Sequence, residues 1–293
     1  MAVIAVDWGS SNCRAYLLEG GCVIDRQETG RGMKSLAAGQ FPVEFDTLVA
    51  PWAGRADTAV LFGMVTSKQG WVETSYIPCP ARTADVAPAS IRRRHGDMTL
   101  HFLPGLSQTA PAPDVMRGEE MQLFGLDPMP ETQIVVLPGT HSKWAVMTNG
   151  VVESFRTIMT GELFQLLLEQ SLAGRLSTST EFDSAEFGSA VLRGFDTATP
   201  LADIFVARSS VLLGTCHGEA VHSYLSGLLI GQELREGMSL TRDRAGSITL
   251  VGTATLIDLY KTACAHVGIA TSTHAAEIGL KGLLRAVLDL DTA

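Results

Sequence analysis

The residues whose types and spacing could do chemistry fall mainly in two tight turns. The first is Gly9-Ser10-Ser11-Asn12, entered through Asp7; the second is Gly139-Thr140-His141-Ser142-Lys143. Glycine lets backbone approach a ligand closely, and clustered N–H groups and hydroxyls make a concavity of donors that favours an anion such as phosphate. The flanking segments 4–20 and 134–150 superimpose without a gap, placing Gly9 on Gly139, Ser10 on Thr140, Ala15 on Ala145 and Gly20 on Gly150, and further on Arg26 on Arg156. Asp7 ends the first strand, where a carboxylate can hold Mg²⁺ directly or through water. Leu137 takes its place in the second copy. One turn with a metal-side carboxylate and one built only of donors is the asymmetry that a single bound nucleotide requires, and two such turns facing one another would hold a polyphosphate. The plainer alternative is a pair of ordinary hairpins with similar turns.

A third feature lies near the C-terminus. The apolar run Ser247–Val251 reads as a strand, and Gly252-Thr253-Ala254-Thr255 leads from it into a helix through Leu256, Leu259 and Tyr260. An adenine–ribose face could lie against backbone there, at a helix N-terminus. The chain has no GxxxxGK[ST], and no GxGxxG lies between a strand and a helix, so neither a P-loop enzyme nor a Rossmann dehydrogenase is supported.

The elements that must position these turns alternate along the chain. Strands are expected at Val3–Val6, Arg14–Leu18, Cys22–Gln27, Thr58–Phe62 and Met98–Leu103, and a helix over Phe41–Trp52. The polar and aromatic loop Gly63–Tyr76 follows a short buried strand, which suggests a site. Arg92-Arg93-Arg94-His95 reads as a solvated turn. Val115–Phe124 reads as a helix start carrying Arg117, Glu119 and Glu120. Later helices are expected from Thr160, as N-cap, to about Leu172, and over Ser184–Phe195, Leu201–Leu213, Glu219–Leu234 and Ala275–Leu288. Ser226, Gly227 and Gly231 would permit close packing. Such alternation argues for a layered α/β architecture.

At 293 residues the chain is long enough for two domains. Net charge is −9, so the overall field repels nucleic acid and anionic membrane, and bound phosphate must be held locally. The five cysteines are scattered, with no CxxC spacing or Cys/His cluster, and read as reduced buried thiols. The opening residues lack a basic n-region, and the most apolar later stretch carries His217, Glu219 and His222, so a soluble cytoplasmic protein without signal peptide or membrane span is expected.

Taken together, the first phosphate motif at Asp7–Asn12, the second at Gly139–Lys143 and the adenosine motif at Val251–Ala254 resemble the acetate and sugar kinase, Hsp70 and actin superfamily in order and spacing. Within it the chain is similar to the 2-dehydro-3-deoxygalactonokinases. The carrying segments are 7–18, 63–73, 79–81, 115–122, 137–144, 159–164 and 223–231, which span the chain from its first strand to its last helices. The resemblance implies a two-domain actin-like ATPase (ribonuclease H-like) fold, each domain a mixed sheet flanked by helices. Domain I would be 1–127, with the sugar-acid site and first phosphate motif, joined by a C-terminal helix at 277–293. Domain II would be 128–276, with the second phosphate motif and the adenosine site.

The activity implied is transfer of the ATP γ-phosphate, with Mg²⁺, to 2-dehydro-3-deoxy-D-galactonate, giving the 6-phosphate in galactonate breakdown. Related sugar kinases place an Asp base just before the second phosphate motif. The matching region here is Gly118–Gly125, which makes Glu119 the first candidate and Glu120 the second, with Asp7 on the metal. Nucleotide would be held by Gly9, Ser10, Ser11, Asn12, Gly139, Thr140, Ser142, Lys143, Gly252 and Thr253. His141 is either a phosphate donor or structural. The substrate carboxylate needs a cation, for which Lys68 and Arg117 are candidates with Arg31 behind them, and Trp71 and Tyr76 could wall the pocket. Lys68 reads equally as a solvated charge, and Trp144 as core. The implied partner is a small sugar acid, without nucleic acid or membrane, and a homodimer stays open. A kinase of another sugar on the same fold, or an actin- or Hsp70-like ATPase, is the alternative.

Overall fold

The computed structural model describes residues 2–37, 39–240 and 247–290. Residues 291–293, the last part of the C-terminal helix expected over 277–293, lie outside them, as do Met1, Ala38 and 241–246. The chain divides into two compact units: Met1–Pro130 with Thr148–Ser154 and Glu277–Ala293, and Glu131–Met147 with Phe155–Ala276.

The first unit begins with β1 (Ala2–Trp8), β2 (Cys13–Glu19), β3 (Cys22–Thr29), α1 (Phe41–Val49) and β4 (Thr58–Phe62). It continues through β5 (Tyr76–Pro78), α2 (Val86–Ala89), β6 (Ile91–His95), β7 (Met98–Phe102), β8 (Gly105–Gln108), β9 (Asp114–Met116) and α3 (Glu119–Gly125). Its main sheet runs β3-β2-β1-β4-β7-β6, with β5-β8-β9 as a smaller sheet. β1, β4 and β7 are parallel neighbours at the centre, which is why they read as unbroken apolar runs rather than as alternating ones. β3 is an edge, and its exposed Arg26 and Glu28 pair with each other and, through Glu28, with Arg14. Charge of this kind blunts an open sheet edge. α1 starts with a proline in its first turn and buries Phe41, Phe45, Leu48 and Val49, a stripe at helical spacing against β1 and β4.

The second unit holds β10 (Gln133–Leu137), β11 (Ser142–Thr148) up to Met147, β12 (Val151–Ile158) from Phe155 onward, α4 (Thr160–Gln170), α5 (Ser184–Asp196) and α6 (Pro200–Leu212). After these come α7 (Val221–Leu240), β13 (Ser247–Gly252), α8 (Ala254–His266) and β14 (Ala270–Ala275). Its sheet order, β12-β11-β10-β13-β14, repeats that of the first unit up to the additional edge strand β6. In α7, Gly227 and Gly231 lie where an added Cβ would be 2.4 and 2.2 Å from the Phe187 and Val191 carbonyl oxygens of α5, so small residues there let the two helices touch along their backbones. The last element, α9 (Ile278–Leu290), belongs to the first unit and packs on α3. Arg285 of α9 donates to the Phe124 and Leu126 carbonyl oxygens, 2.6 Å each, satisfying the open C-terminus of α3.

Several sequence expectations need correction. Arg92–His95 is not a turn but most of β6, paired antiparallel with β7, where alternate side chains of an edge strand can stay in water. The helix expected from Val115 starts at Glu119, because Asp114–Met116 is strand β9 and Gly118 turns the chain with φ 110°. Thr160 is the first helical residue rather than the N-cap, which is Met159. Ala275 is the last residue of β14, and the helix expected from it begins at Ile278. Val49 closes α1, and Ala50–Trp52 is a turn of 3-10 helix around Pro51.

The gap-free repeat also changes in detail. Asp7 pairs with Arg14 across the first hairpin, whereas Leu137 pairs with Lys143 across the second. The second phosphate turn is therefore one residue shorter, and beyond it the two copies are one residue out of step. The next turn shows the same shift, with positive φ at Gly20 and Gly21 in the first copy and at Asn149 and Gly150 in the second. Ala15 thus corresponds in register to Trp144 rather than to Ala145.

Candidate active site

The first turn is braced from behind. The carbonyls of Gly9, Ser10 and Ser11 accept from the N–H groups of Met33, Lys34 and Gly32, each at 3.0 Å. Gly32 is required there, since a Cβ on it would lie 2.3 Å from the Ser11 carbonyl carbon. With its acceptors spent on the protein, the turn is suited to present donors to a ligand. It lines a cleft of ≈ 250 Å³ formed by Asp7, Gly9, Ser10, Ser11, Asn12 and Arg14. Asp7 opens partly onto this cleft, yet the surrounding protein excludes enough water to raise its pKa to about 6; Arg14 opposes the shift and Glu119 adds to it.

The acidic segment reaches the same place through two glycines. Gly63, at the end of β4, lies close to Asp7, and an added Cβ would be 3.5 Å from the Asp7 Oδ1. Gly118 in turn packs on Gly63, where its own Cβ would be 3.3 Å from the Gly63 Cα. Glu119 and Glu120 follow directly, as the first residues of α3. The Glu119 Oε2 accepts from the Arg117 N–H at 3.0 Å. Glu120 is fully buried and accepts from the Gly118 N–H; burial, with Glu119 adding to it, raises its pKa to about 8. At neutral pH Glu120 is thus mostly protonated, while Glu119 is the more open of the two.

The loop after β4 is shaped by Arg117. Its Nη1 donates to the Thr66 and Thr74 hydroxyls, 2.6 Å each, its Nη2 donates to the Thr74 carbonyl at 3.2 Å, and its guanidinium lies 4.2 Å from the centre of the Tyr76 ring. Trp71 does not stand free as a pocket wall. Its ring meets His95 and Phe102 edge-on and Phe45 at a tilt, with centroids 5.4–5.7 Å apart, and so extends the core. Lys68 is exposed on the loop, and Arg31 is paired with the buried Glu44 at 3.1 Å.

In the second unit the turn is braced by α4. The Thr140 carbonyl accepts from the Glu162 N–H at 3.0 Å, and a Cβ on Gly161 would come within 2.5 Å of the Gly139 oxygen. Thr140 and His141 are exposed, and the His141 imidazole meets the Glu162 carboxylate. Lys143 is buried, with its Nζ 3.4 Å from the His141 carbonyl. Ser142 is buried and its Oγ accepts from the Gly139 N–H at 3.4 Å. The end of β13 lies nearby, with a Cβ on Gly252 3.8 Å from Pro138 Cδ. Thr253 is the N-cap of α8 but makes no side-chain cap, which leaves the first N–H groups of that helix available to a ligand.

Sequence reasoning missed Glu233. This carboxyl is 1% exposed and accepts from the Trp144 indole at 2.9 Å and the Tyr260 hydroxyl at 2.6 Å; burial raises its pKa, and these donors with Thr160 and Ser142 oppose the shift. A lone Glu among apolar residues of α7 was the available signal, because a carboxylate is buried only with partners. Trp144, expected in the core, is 2% exposed.

These two donor turns, each set in a sheet of the same strand order, have close relatives. The profile of the 2-keto-3-deoxy-galactonokinase family matches residues 7–286. The 2-dehydro-3-deoxygalactonokinase of Escherichia coli (strain K12) is 32% identical over 285 residues, covering 97% of this chain and 96% of the relative. A crystal structure from Sinorhizobium meliloti described under the same enzyme name superimposes with a TM-score of 0.90 at 31% identity, covering 97% of this chain and 98% of that one. At 13% identity and a TM-score of 0.52, the activator of 2-hydroxyisocaproyl-CoA dehydratase from Clostridium difficile, solved with bound ADPNP, shares the fold over 100% of this chain and 97% of its own. The fold is that of two-domain actin-like ATPases and sugar kinases, with mixed sheets flanked by helices. With its family profile covering nearly the whole length, this chain is a sugar-acid kinase and belongs to the 2-keto-3-deoxy-galactonokinase family.

Proposed function

We propose that the protein transfers the γ-phosphoryl group of ATP to the terminal hydroxyl of 2-dehydro-3-deoxy-D-galactonate, releasing ADP and the 6-phosphate. The observation that carries this reading is the convergence of Asp7, Gly63, Gly118 and Glu119 beside a braced donor turn, in a chain of this family. Phosphoryl transfer asks the protein for positioning and charge neutralisation more than for covalent chemistry.

The Gly9–Asn12 turn is assigned to phosphate, with Asp7 on the metal side. Among the described residues no group of three or more His, Cys, Asp or Glu could hold a metal ion. That fits Mg²⁺, which is commonly held by one or two carboxylates together with substrate phosphates. The chemistry of Asp7 fits as well, since a carboxylate penalised by burial gains from a cation beside it. Mg²⁺ there would neutralise charge on the phosphates. In the second unit, Gly139, Thr140 and Lys143 are assigned to phosphate, and Gly252 with Thr253 to the adenosine.

Glu119 takes the proton of the attacking hydroxyl. It is the more open of the two acidic neighbours, and burial holds Glu120 protonated. Arg117 serves by holding the loop of residues 63–76 in shape, and exposed Lys68 on that loop meets the carboxylate of the sugar acid. Among the described residues no helix is long and apolar enough to cross a membrane, and the reading places the enzyme in the cytoplasm, where ATP is available. A coupled ADP-release assay with the sugar acid tests the proposal. Turnover that disappears with EDTA is expected, and activity confined to a different sugar would reject the substrate.

A further inference from the structure

We propose that Glu233 is a positioning residue for nucleotide binding, which rests on the reading of Gly139–Lys143 as a phosphate turn. Trp144, which directly follows the turn in β11, and Tyr260 of α8 donate to the Glu233 carboxylate; Ser142 within the turn bonds the Tyr260 hydroxyl at 3.3 Å, and Thr160, the first residue of α4, favours the charged form of Glu233. The elements so joined are those that shape the proposed nucleotide face. Ser142 returns its Oγ to the Gly139 N–H at 3.4 Å. α4 presses Gly161 against Gly139 and receives the Thr140 carbonyl through the Glu162 N–H. α8 begins at the open N-terminus beside Thr253.

Burial disfavours the ionised form of Glu233 and raises its pKa, and the Trp144 and Tyr260 donors, with Thr160 and Ser142 beside them, oppose that shift. A single buried acceptor therefore ties the strand that follows the turn to α8, with the start of α4 beside it. α7, which carries Glu233, is itself fixed: a Cβ on Gly237, one turn further on, would lie 2.3 Å from the Trp144 ring, so helix and indole are in direct contact. An apolar residue at 233 could pack, yet it would leave the Tyr260 hydroxyl and the Trp144 indole without this acceptor. The turn would then lose the group that anchors Tyr260 at 3.3 Å from the Ser142 hydroxyl.

The test compares Glu233→Gln, Tyr260→Phe and Thr140→Ala in the full-length enzyme, reading KM for ATP, KM for the sugar acid, kcat, and the affinity for a non-hydrolysable ATP analogue. Glu233→Gln replaces an acceptor by a donor. It is expected to weaken analogue binding and raise KM for ATP about tenfold, while KM for the sugar acid stays within about twofold. Tyr260→Phe removes one of the two hydrogen bonds to the carboxylate together with the partner of the Ser142 hydroxyl, so a loss of about threefold is expected, and this variant decides the matter if Glu233→Gln does not fold. A lowered Tm with unchanged nucleotide binding in both variants would overturn the proposal, as would equal loss toward both substrates. Thr140→Ala alters an exposed side chain of the turn itself. If it leaves nucleotide binding intact, the phosphate-turn reading falls and the proposal falls with it; if it weakens binding while Glu233→Gln and Tyr260→Phe do not, only the role of Glu233 is lost.

Discussion

The two donor turns share a hairpin frame and differ in what stands behind them. The first is backed by Gly32 and the 3-10 turn that starts at Met33, whose N–H groups consume its carbonyls, and it carries a carboxylate that opens partly onto the cleft yet has its pKa raised to about 6. The second has Leu137 where the first has Asp7, is backed by a helix start, and sits over a buried carboxyl that accepts from the Trp144 indole and the Tyr260 hydroxyl. Burial raises the pKa of both carboxyls, but Asp7 opens partly onto a cleft, whereas Glu233 is sealed with its donors inside the protein. The difference teaches that similar turns can be suited to different tasks by what lies behind them: a carboxylate open to a cleft is placed to meet a cation, as proposed for Asp7, and a sealed one to brace its neighbours, as proposed for Glu233.

Substitutions can break this comparison. The largest effect is expected in the first unit, where Glu119→Gln should lower kcat by about two to four decades, the range of a lost general base. Glu120→Gln should cost much less, and equal retention of rate by both variants in the ADP-release assay would remove the base assignment. Asp7→Asn makes the first turn resemble the second by removing its charge. A fall in kcat of about a hundredfold or more is expected, together with a gain in ligand-free stability on the order of 1–3 kcal/mol at pH 8, because the folded state no longer holds an ionised carboxylate where burial disfavours it. Unchanged kcat with Mg²⁺ would take Asp7 out of the site.

Gly32→Ala sharpens the comparison by attacking the loop brace alone. Its Cβ would collide with the Ser11 backbone, so about 1–3 kcal/mol of stability should be lost, with KM for ATP raised. Chemical denaturation of wild type and variant would check it, and no loss would mean that the turn can shift freely. A last effect, read in stability rather than in rate, is expected from Glu120. A carboxylate whose folded pKa lies above its unfolded one binds more protons when folded, so its contribution weakens stability as pH rises from about 4.5 to about 8. Glu120→Gln should remove that part of the slope, seen as a smaller fall in Tm between pH 5.5 and pH 8. Identical pH dependence in both proteins would mean that Glu120 titrates normally.

Much of the frame was legible because it rests on short-range pattern. β4 was read at its observed limits, and the stripe Phe41, Phe45, Leu48 and Val49 marked α1, since an unbroken apolar run and a helical stripe each leave a period in the sequence. The misreadings occurred where period carries no signal. Arg92–His95 is polar enough to read as a turn, and only pairing with β7 makes it a strand. The repeat was visible, but its one-residue slip was not, because a shorter turn can be hidden by matching glycines and alanines on either side.

The candidate site divides in the same way. The donor turns and the carboxylate at the end of β1 are local groupings read from residue type and spacing, whereas the acidic pair at 119 and 120 was singled out by the resemblance to sugar kinases. Tertiary structure decided their environments: which carboxylate opens to a cleft and which is sealed, why Trp71 turns into the core, and why Arg117 spends its guanidinium on Thr66 and Thr74. It also decided the role offered to Glu233, which lies 89 residues from Trp144 and 27 from Tyr260 in the chain. Sequence determines which groups are present and their local geometry, because backbone periodicity and turn chemistry act over a few residues. Burial and partnership, which set the energy of every charge in this protein, arise only when distant segments pack together and exclude water.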